Sequence, residues 1–285
     1  MIMCFKKKNK VIISVTAAAI FLLLSVIISN NYIQVKTYDE SDDASAGKIV
    51  LLSDLHGRSF GDGNERIIEK LENINPDIIC LSGDFIDEDN TVEENTEFIK
   101  LLNKLTDIAP VYYSYGNHDL GYFGDNGFAL VDEIKTTGCF VLEEEYVDID
   151  INGKDIRLGG MFDYAFNQQY VSKYEWMQDS TYRFLTDFIS TDRTKILMCH
   201  RPESFIYDDA PLWDIDLVLC GHTHGGIWQL PFFGGVIAPE QGFLPEYDKG
   251  EYEIGNMKMI ISSGFAGYNY ILRLFNPPEI TVIEI

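Results

Sequence analysis

Basic residues are scarce in this chain: 22 Lys and Arg stand against 45 Asp and Glu, for a net charge of −23. Four of those cations, Lys6, Lys7, Lys8 and Lys10, crowd the first ten residues, so everything after them carries −27. Such a surface repels nucleic acid and anionic membrane, which excludes a nuclease working along a polyanion. A small phosphorylated substrate stays open, because a pair of divalent metals would reverse the local field. The acidic runs at 39–43 and 143–145 read as solvated linker and loop. Cysteine is also sparse, and none of the five sits in a Cys-x-x-Cys, so a zinc ribbon or a disulfide framework is excluded. Cys80, Cys199 and Cys220 lie inside apolar runs and read as small core residues, Cys139 has no evident partner, and Cys4 sits where acylation can occur. Free thiols in an exported domain would suit a reducing setting. No internal repeat is present.

Long apolar runs are missing too, with one exception. Residues 11–29 are uncharged, and these 19 residues make a helix of about 28 Å, enough to cross a bilayer core. The lysines before it predict a cytoplasmic N-terminus at 1–10 and an extracytoplasmic remainder. A signal-peptide core is normally about 7–15 residues, and the small-x-small site Ala44-Ser45-Ala46 lies far downstream, so an uncleaved signal anchor is the preferred reading over a cleaved peptide. Residues 30–47 are polar and acidic and read as a tether, leaving 48–285 as the domain.

Within that domain the 46% apolar content predicts a packed core. Helices are expected over 64–74, with Asn64 as N-cap, over 92–105, over 126–137 and over 173–189, where Trp176, Tyr182, Phe184, Leu185 and Phe188 form a core stripe. Asn152-Gly153 and Gly255-Asn256 predict hairpins, and 279–285 a last strand. Strands alternating with helices early and hairpins late predict an α/β mixed sheet system.

Histidine is the most informative scarcity. There are five, and each follows an apolar run: His56, His118, His200, His222 and His224. Five strand readings, at 49–53, 78–82, 111–115, 196–199 and 217–220, end in Asp54-Leu55-His56, Gly83-Asp84, Gly116-Asn117-His118-Asp119, His200 and Gly221-His222-Thr223-His224. Carboxyl ends of strands in open α/β sheets are where sites form. Imidazole, carboxylate and amide held there suit Mn, Fe, Zn or Co.

This ordered set resembles the calcineurin-like metallophosphoesterases, over about residues 48–285. The Gly-His-Thr-His-Gly-Gly extension and the terminal Pro277-Pro278-Glu279-Ile280 resemble the bacterial membrane-associated or exported branch. The resemblance implies a four-layer αββα sandwich of two mixed sheets. It also implies two divalent metals, one held by Asp54, His56, Asp84 and His224, the other by Asp84, Asn117, His200 and His222, with Asp84 bridging. Such a pair can hold a shared hydroxide for attack on a phosphomonoester or phosphodiester, a lipid or cell-envelope phosphate being consistent with the anchor. His118 would act as general acid, with Asp119 orienting its ring. A phosphoprotein phosphatase and a silent metal-binding module are the alternatives. Arg201 is either a phosphate partner or a surface residue, Asp87 stands beside the ligands, and Trp228, Phe232 and Phe233 read as core packing in preference to an apolar rim. Oligomeric state is not written in the sequence.

Overall fold

The computed structural model describes residues 2–41, 47–161, 177–206, 213–267 and 271–285, with side chains from residue 12 onward. In chain order its elements are α1 (Ile2–Asn31), β1 (Gln34–Asp39), β2 (Lys48–Leu52), α2 (Glu65–Ile74), β3 (Ile78–Ser82), α3 (Val92–Ile108), β4 (Val111–Ser114), α4 (Asn117–Asn126), α5 (Ala129–Thr136), β5 (Phe140–Val141), β6 (Glu145–Ile151) and β7 (Lys154–Gly160). Then follow α6 (Asp179–Phe188), β8 (Thr194–Met198), α7 (Glu203–Ile206), β9 (Leu217–Cys220), β10 (Gln229–Leu230), β11 (Gly234–Gly235), β12 (Ile237–Ala238), β13 (Gly242–Phe243), β14 (Gly250–Ile254), β15 (Met257–Ile261) and β16 (Glu279–Glu284).

Twelve of the strands assemble into two six-stranded mixed sheets, ordered β1-β16-β2-β3-β4-β5 and β14-β15-β9-β8-β7-β6, and the other four pair as the β10–β11 and β12–β13 hairpins. Strands β2 to β5 run parallel, as do β15, β9, β8 and β7. Burial on both faces explains their continuous apolar runs, since a parallel sheet covered on both sides has no solvent face to mark by alternation. Residues one apart point to opposite faces. Thus Ile49, Leu51, Ile78 and Cys80 of one sheet meet Ile196, Met198, Leu217 and Leu219 of the other in a shared inner core. Val50, Leu52, Ile79 and Leu81 point outward under α2, α3 and α5. Leu197, Val218, Met259 and Ile261 point outward under α6. Three apolar layers between four structural ones make the αββα sandwich that the resemblance implies.

Four local readings need correction. Residues 34–39 are not part of a tether: β1 pairs with β16 along its whole length. It escaped notice because an edge strand keeps both faces largely in solvent, and its burial pattern shows no alternation to read. Helix α1 therefore runs almost directly into the sheet, with Ile33 fully buried at the join. The helix expected at 126–137 is the shorter α5, because Gly127 takes φ +79° and separates it from α4, whose first turn carries the Asn117-His118-Asp119 motif. Within α6, Phe184, Leu185 and Phe188 are buried but Tyr182 is 51% exposed, and Trp176 lies outside the described residues. The cap of α2 also differs: Asn64 is left-handed, and its side chain accepts from Phe60 N at 2.9 Å instead of from the helix.

Removing β1 would bare the full edge of β16. A chain begun at Lys48 is expected to melt about 5 °C or more below one begun at Ile33, a loss on the order of 2 kcal/mol for a domain of this size. Thermal unfolding of the two chains followed by circular dichroism is the check, and equal midpoints would make β1 dispensable.

Candidate metal centre

Each ligand candidate lies just past the end of a parallel strand, Asn117 in the first turn of α4, and these segments from both sheets close on one point. Asp54 and His56 follow β2, Asp84 follows β3, Asn117 and His118 follow β4, His200 follows β8, and His222 and His224 follow β9. The turn each loop makes is abrupt. Asp54, His56, Asp84, His222 and His224 all have positive φ, between 47° and 69°, a region that costs a non-glycine residue on the order of 1 kcal/mol. Backbone bonds between loops hold them there: Asp54 N donates to Gly83 O at 3.1 Å, His56 N to Asp84 O at 3.0 Å, and Gly221 N to His200 O at 3.0 Å. Glycine permits the approach. A Cβ on Gly116 would lie 2.2 Å from Asp84 Oδ1, and one on Gly83 2.4 Å from His200 Nδ1.

Asp84 is fully enclosed and fixed from two sides. Its Oδ1 accepts from His118 N at 2.9 Å, and its own N–H donates to Asp119 Oδ2 at 2.7 Å. That leaves Oδ2 facing the imidazoles, 2.9 Å from His200 Nε2 and 3.7 Å from His56 Nε2. Asp54 accepts from His222 N with both oxygens, at 3.0 and 3.2 Å, and lies 3.9 Å from Nε2 of both His200 and His224. His200 Nδ1 is 2.8 Å from Ser82 O, and His224 Nδ1 is 3.1 Å from Ala266 O. A carbonyl can only accept, so each Nδ1 carries the proton and each Nε2 presents a lone pair inward.

Three groups of potential ligand atoms result, each within 4.8 Å of one another: Asp54, His56 and His224; His56, Asp84 and His118; and Asp84, His200 and His222. Asp84 belongs to two of the three. Burial alone would push both carboxyls up, but in the acid range, where the rings are protonated, the imidazoles of His224 and His200 hold Asp54 below the ordinary carboxylate range, and His200 and His56 hold Asp84 well below it. Burial drives His224 down to about 3, so its ring is neutral. Asn117 Oδ1 and His56 Nε2 are buried with no hydrogen-bond partner among the described residues. Two enclosed carboxylates, neutral imidazoles and an unsatisfied amide oxygen are a donor set that divalent cations would complete.

His118 behaves differently from the expectation. Its Nδ1 is 2.8 Å from Asp87 Oδ1, and Asp87 Oδ2 is 3.6 Å from His56 Nδ1. Burial would lower the His118 pKa, yet the Asp87 contact raises it to about 9. Asp119, expected to orient that ring, does not. Its carboxylate takes three backbone N–H groups instead, from Asp84 (2.7 Å), Gly116 (2.8 Å) and Ile86 (2.9 Å). The third residue of a helix naturally reaches back to its cap. Buried beside Asp84, Asp119 has its pKa raised to about 6.

Other residues stand at the centre without any signal in the sequence. Glu240, on the loop after β12, touches His222 Nε2, and its other oxygen is 3.2 Å from Nη1 of Arg201, which is buried and not a surface residue. Arg273, fully enclosed, donates to the carbonyls of Gly264 (2.7 Å) and His224 (3.2 Å), and Asn276 Nδ2 donates to His224 O at 2.8 Å. Each lies on an irregular segment where no periodicity betrays its direction. Trp228, Phe232 and Phe233, read as core, are 43%, 104% and 76% exposed.

Comparison with known proteins agrees with this geometry. The profile of the calcineurin-like phosphoesterase family matches residues 47–226. The metallophosphoesterase YkuE of Bacillus subtilis is 30% identical over 244 residues, covering 84% of this chain and 78% of that protein. Phosphodiesterase YaeI of Escherichia coli is 28% identical over 251 residues, covering 86% and 84%. Among solved structures, the sulfate thiohydrolase SoxB of Thermus thermophilus superposes with a TM-score of 0.51 at 10% identity, over 86% of this chain and 57% of that one, which is a likeness of fold alone.

Replacing Asp119 by Ala would strand three enclosed N–H groups. Asp119→Ala is expected to cost about 3 kcal/mol or more in denaturant unfolding. A loss below about 1 kcal/mol would show that the carboxylate does not organise the two loops.

Proposed function

The chain belongs to the calcineurin-like phosphoesterases and is a hydrolase of phosphoric esters, and from that premise we propose that its site would hold two divalent cations, with Asp84 central among the residues holding them. The observation that carries the reading is the position of Asp84 Oδ2 between the imidazoles of His56 and His200, with Oδ1 tied down by His118 N. Asp54, His56 and His224 would complete one cation's ligands, and Asn117, His200 and His222 the other's. When bound, such a pair activates water at neutral pH and neutralises the phosphoryl oxygens.

The chain's own residues then supply the rest. His118 stands beside this cluster with Nδ1 committed to Asp87, so its other ring nitrogen is free to carry a proton to the departing oxygen. Water's oxygen bonds to phosphorus and its proton passes to solvent, the ester P–O bond breaks, and the alcohol leaves with the His118 proton, which solvent then restores. Asp87 keeps His118 protonated through neutral pH. Arg201, held by Glu240, supports the His222 side of the centre. Similarity to a relative named as a phosphodiesterase supports a diester as substrate. The apolar helix before the domain supports a membrane-anchored enzyme, with the lysine cluster inside and the domain on the far side.

Two substitutions separate metal binding from turnover. Asp84→Asn should lose bound metal by elemental analysis, whereas His118→Ala should keep it and lose at least about 100-fold in kcat on an aryl phosphodiester with Mn²⁺ supplied. Full activity in His118→Ala would remove this residue from proton transfer. Silence of the metal-loaded wild type on aryl mono- and diesters would sink the enzymatic reading of this site.

A second expectation concerns pH. Activity requires protonated His118, so it falls as pH rises through the His118 pKa. Asp87→Asn removes the charge that lifts that pKa, and the alkaline limb of kcat should move to lower pH. An unmoved limb would assign it to another group.

A further inference from the structure

Helix α1 does not leave the domain on a flexible stalk; its last three turns are fastened to it. Ser25, Ser29 and Asn30 are buried. Phe275 N donates to Ser25 Oγ at 3.2 Å, and Asn276 N to Ser29 Oγ at 3.1 Å. Asn30 and Arg273 exchange two bonds, Nδ2 to O at 2.9 Å and N to Oδ1 at 3.1 Å. The rings of Phe21 and Phe275 are 5.6 Å apart. From Phe21 to Asn31 the helix rises about 15 Å. Over that distance, the segment 273–276 lies alongside residues belonging to the apolar stretch Ile12–Asn31, whose mean hydropathy is 2.6.

Linked to this segment is a group of exposed apolar side chains. Trp228 Nε1 donates to Leu272 O at 2.9 Å, and Gln229 N to Leu274 O at 2.9 Å. The β10–β11 and β12–β13 hairpins hang from it, through Val236 N to Trp228 O (2.9 Å) and Leu244 N to Val236 O (2.8 Å). Phe232, Phe233, Phe243 and Leu272 are 104%, 76%, 73% and 61% exposed. A cluster of this kind on a water-facing domain marks a contact surface. Beside it, in a chain poor in cations, Arg58 and Arg66 donate to the carbonyls of Asn30 and Asn31, and Lys70 lies 5.6 Å from the Tyr32 ring. Aromatics and a basic collar at the end of an apolar helix are what a lipid headgroup layer selects.

The metal centre opens on this face. A cavity of about 390 Å³ is lined by His56, His118 and His224 on its inner side, with Asn30 at the end of α1 and the apolar Ile271 and Leu272 at its lip. We infer that this face docks on the bilayer with Phe232, Phe233 and Phe243 inserted, and that the phosphoric ester cleaved is the headgroup of an amphiphile in the leaflet next to the domain. The occupant is a lipid surface because the face is continuous with the spanning helix and is apolar, in a chain whose overall negative charge opposes purely electrostatic binding. The inference rests on the phosphoesterase reading and on retention of α1. Its products are a membrane-retained fragment and a released one, divided at the P–O bond.

The test uses the full chain in phosphatidylcholine proteoliposomes with Mn²⁺. Trp228 emission is read against lipids brominated in the upper acyl chain, with Trp228→Phe as the blank. Hydrolysis of a lipid phosphodiester dispersed in the bilayer is compared with that of a water-soluble aryl phosphodiester, for wild type and for the triple variant Phe232→Ser, Phe233→Ser, Phe243→Ser. We expect quenching that disappears in Trp228→Phe, and a tenfold or greater fall in kcat/KM on the lipid ester in the triple variant, with the soluble ester changed less than twofold. Absence of Trp228 quenching overturns the docking. Quenching with equal loss, or no loss, on both esters overturns the lipid substrate. Failure of wild type on both esters falls on the phosphoesterase reading instead, and quenching still decides the docking.

Discussion

One buried carboxylate constrains the whole site. Asp84 Oδ1 is taken by a backbone N–H from the loop after β4, and its own N–H is taken by Asp119 from the same helix start. Neither oxygen can turn without breaking a buried bond, so Oδ2 stays aimed at His56 and His200. In the low-dielectric gap between two sheet edges, an ionised carboxylate is tolerable only with positive partners around it. The position and the charge of Asp84 thus dictate what may stand opposite, and the imidazoles and the cations they invite follow from it.

Holding that arrangement requires strained backbone. Five of the ligand candidates themselves sit at positive φ, together several kcal/mol of unfavourable conformation by the usual cost per residue. The opposing terms are structural and can be named. Bonds across the gap tie the sheets at their carboxyl ends: Ser82 Oγ to Leu219 O at 3.1 Å, and Ser114 Oγ to Met161 O at 2.5 Å. Below them the inner core of interleaved strand residues makes both sheets rigid. The left-handed turns are what redirect each chain from strand to ligand within one residue. An extended residue there would carry its side chain past the centre.

The strands and the gathering of the candidate ligands were legible because both depend on local, periodic or rare features. Five histidines after five apolar runs cannot be placed many ways, and parallel strands with no solvent face appear as uninterrupted apolar stretches. What escaped is irregular or shared. β1 has no alternation because it lies at an edge, and Asp119 looked like a partner for its neighbour His118, whereas helix geometry sends its side chain back to the cap. Asp87 holds His118 instead, from a loop 31 residues earlier that only the parallel pairing of β3 and β4 brings near. Glu240 and Arg273 lie on segments with no repeat to read, so their direction is set by tertiary packing alone.

Arg273 and Asn276 connect two features that seem unrelated in the sequence. Their side chains fasten the His224 loop through its carbonyls, and their backbone N–H groups are fastened by Asn30 and Ser29 of α1. A guanidinium enclosed among carbonyls, with burial lowering its pKa to about 10, keeps its charge at neutral pH and depends on every acceptor it has. Displacing the helix end would leave the N–H groups of Arg273, Phe275 and Asn276 without their acceptors. The same displacement would loosen the segment that holds His224 in its left-handed turn. The apolar helix is therefore a structural part of the candidate centre's wall, since the geometry of one imidazole there depends, through two residues, on where that helix ends.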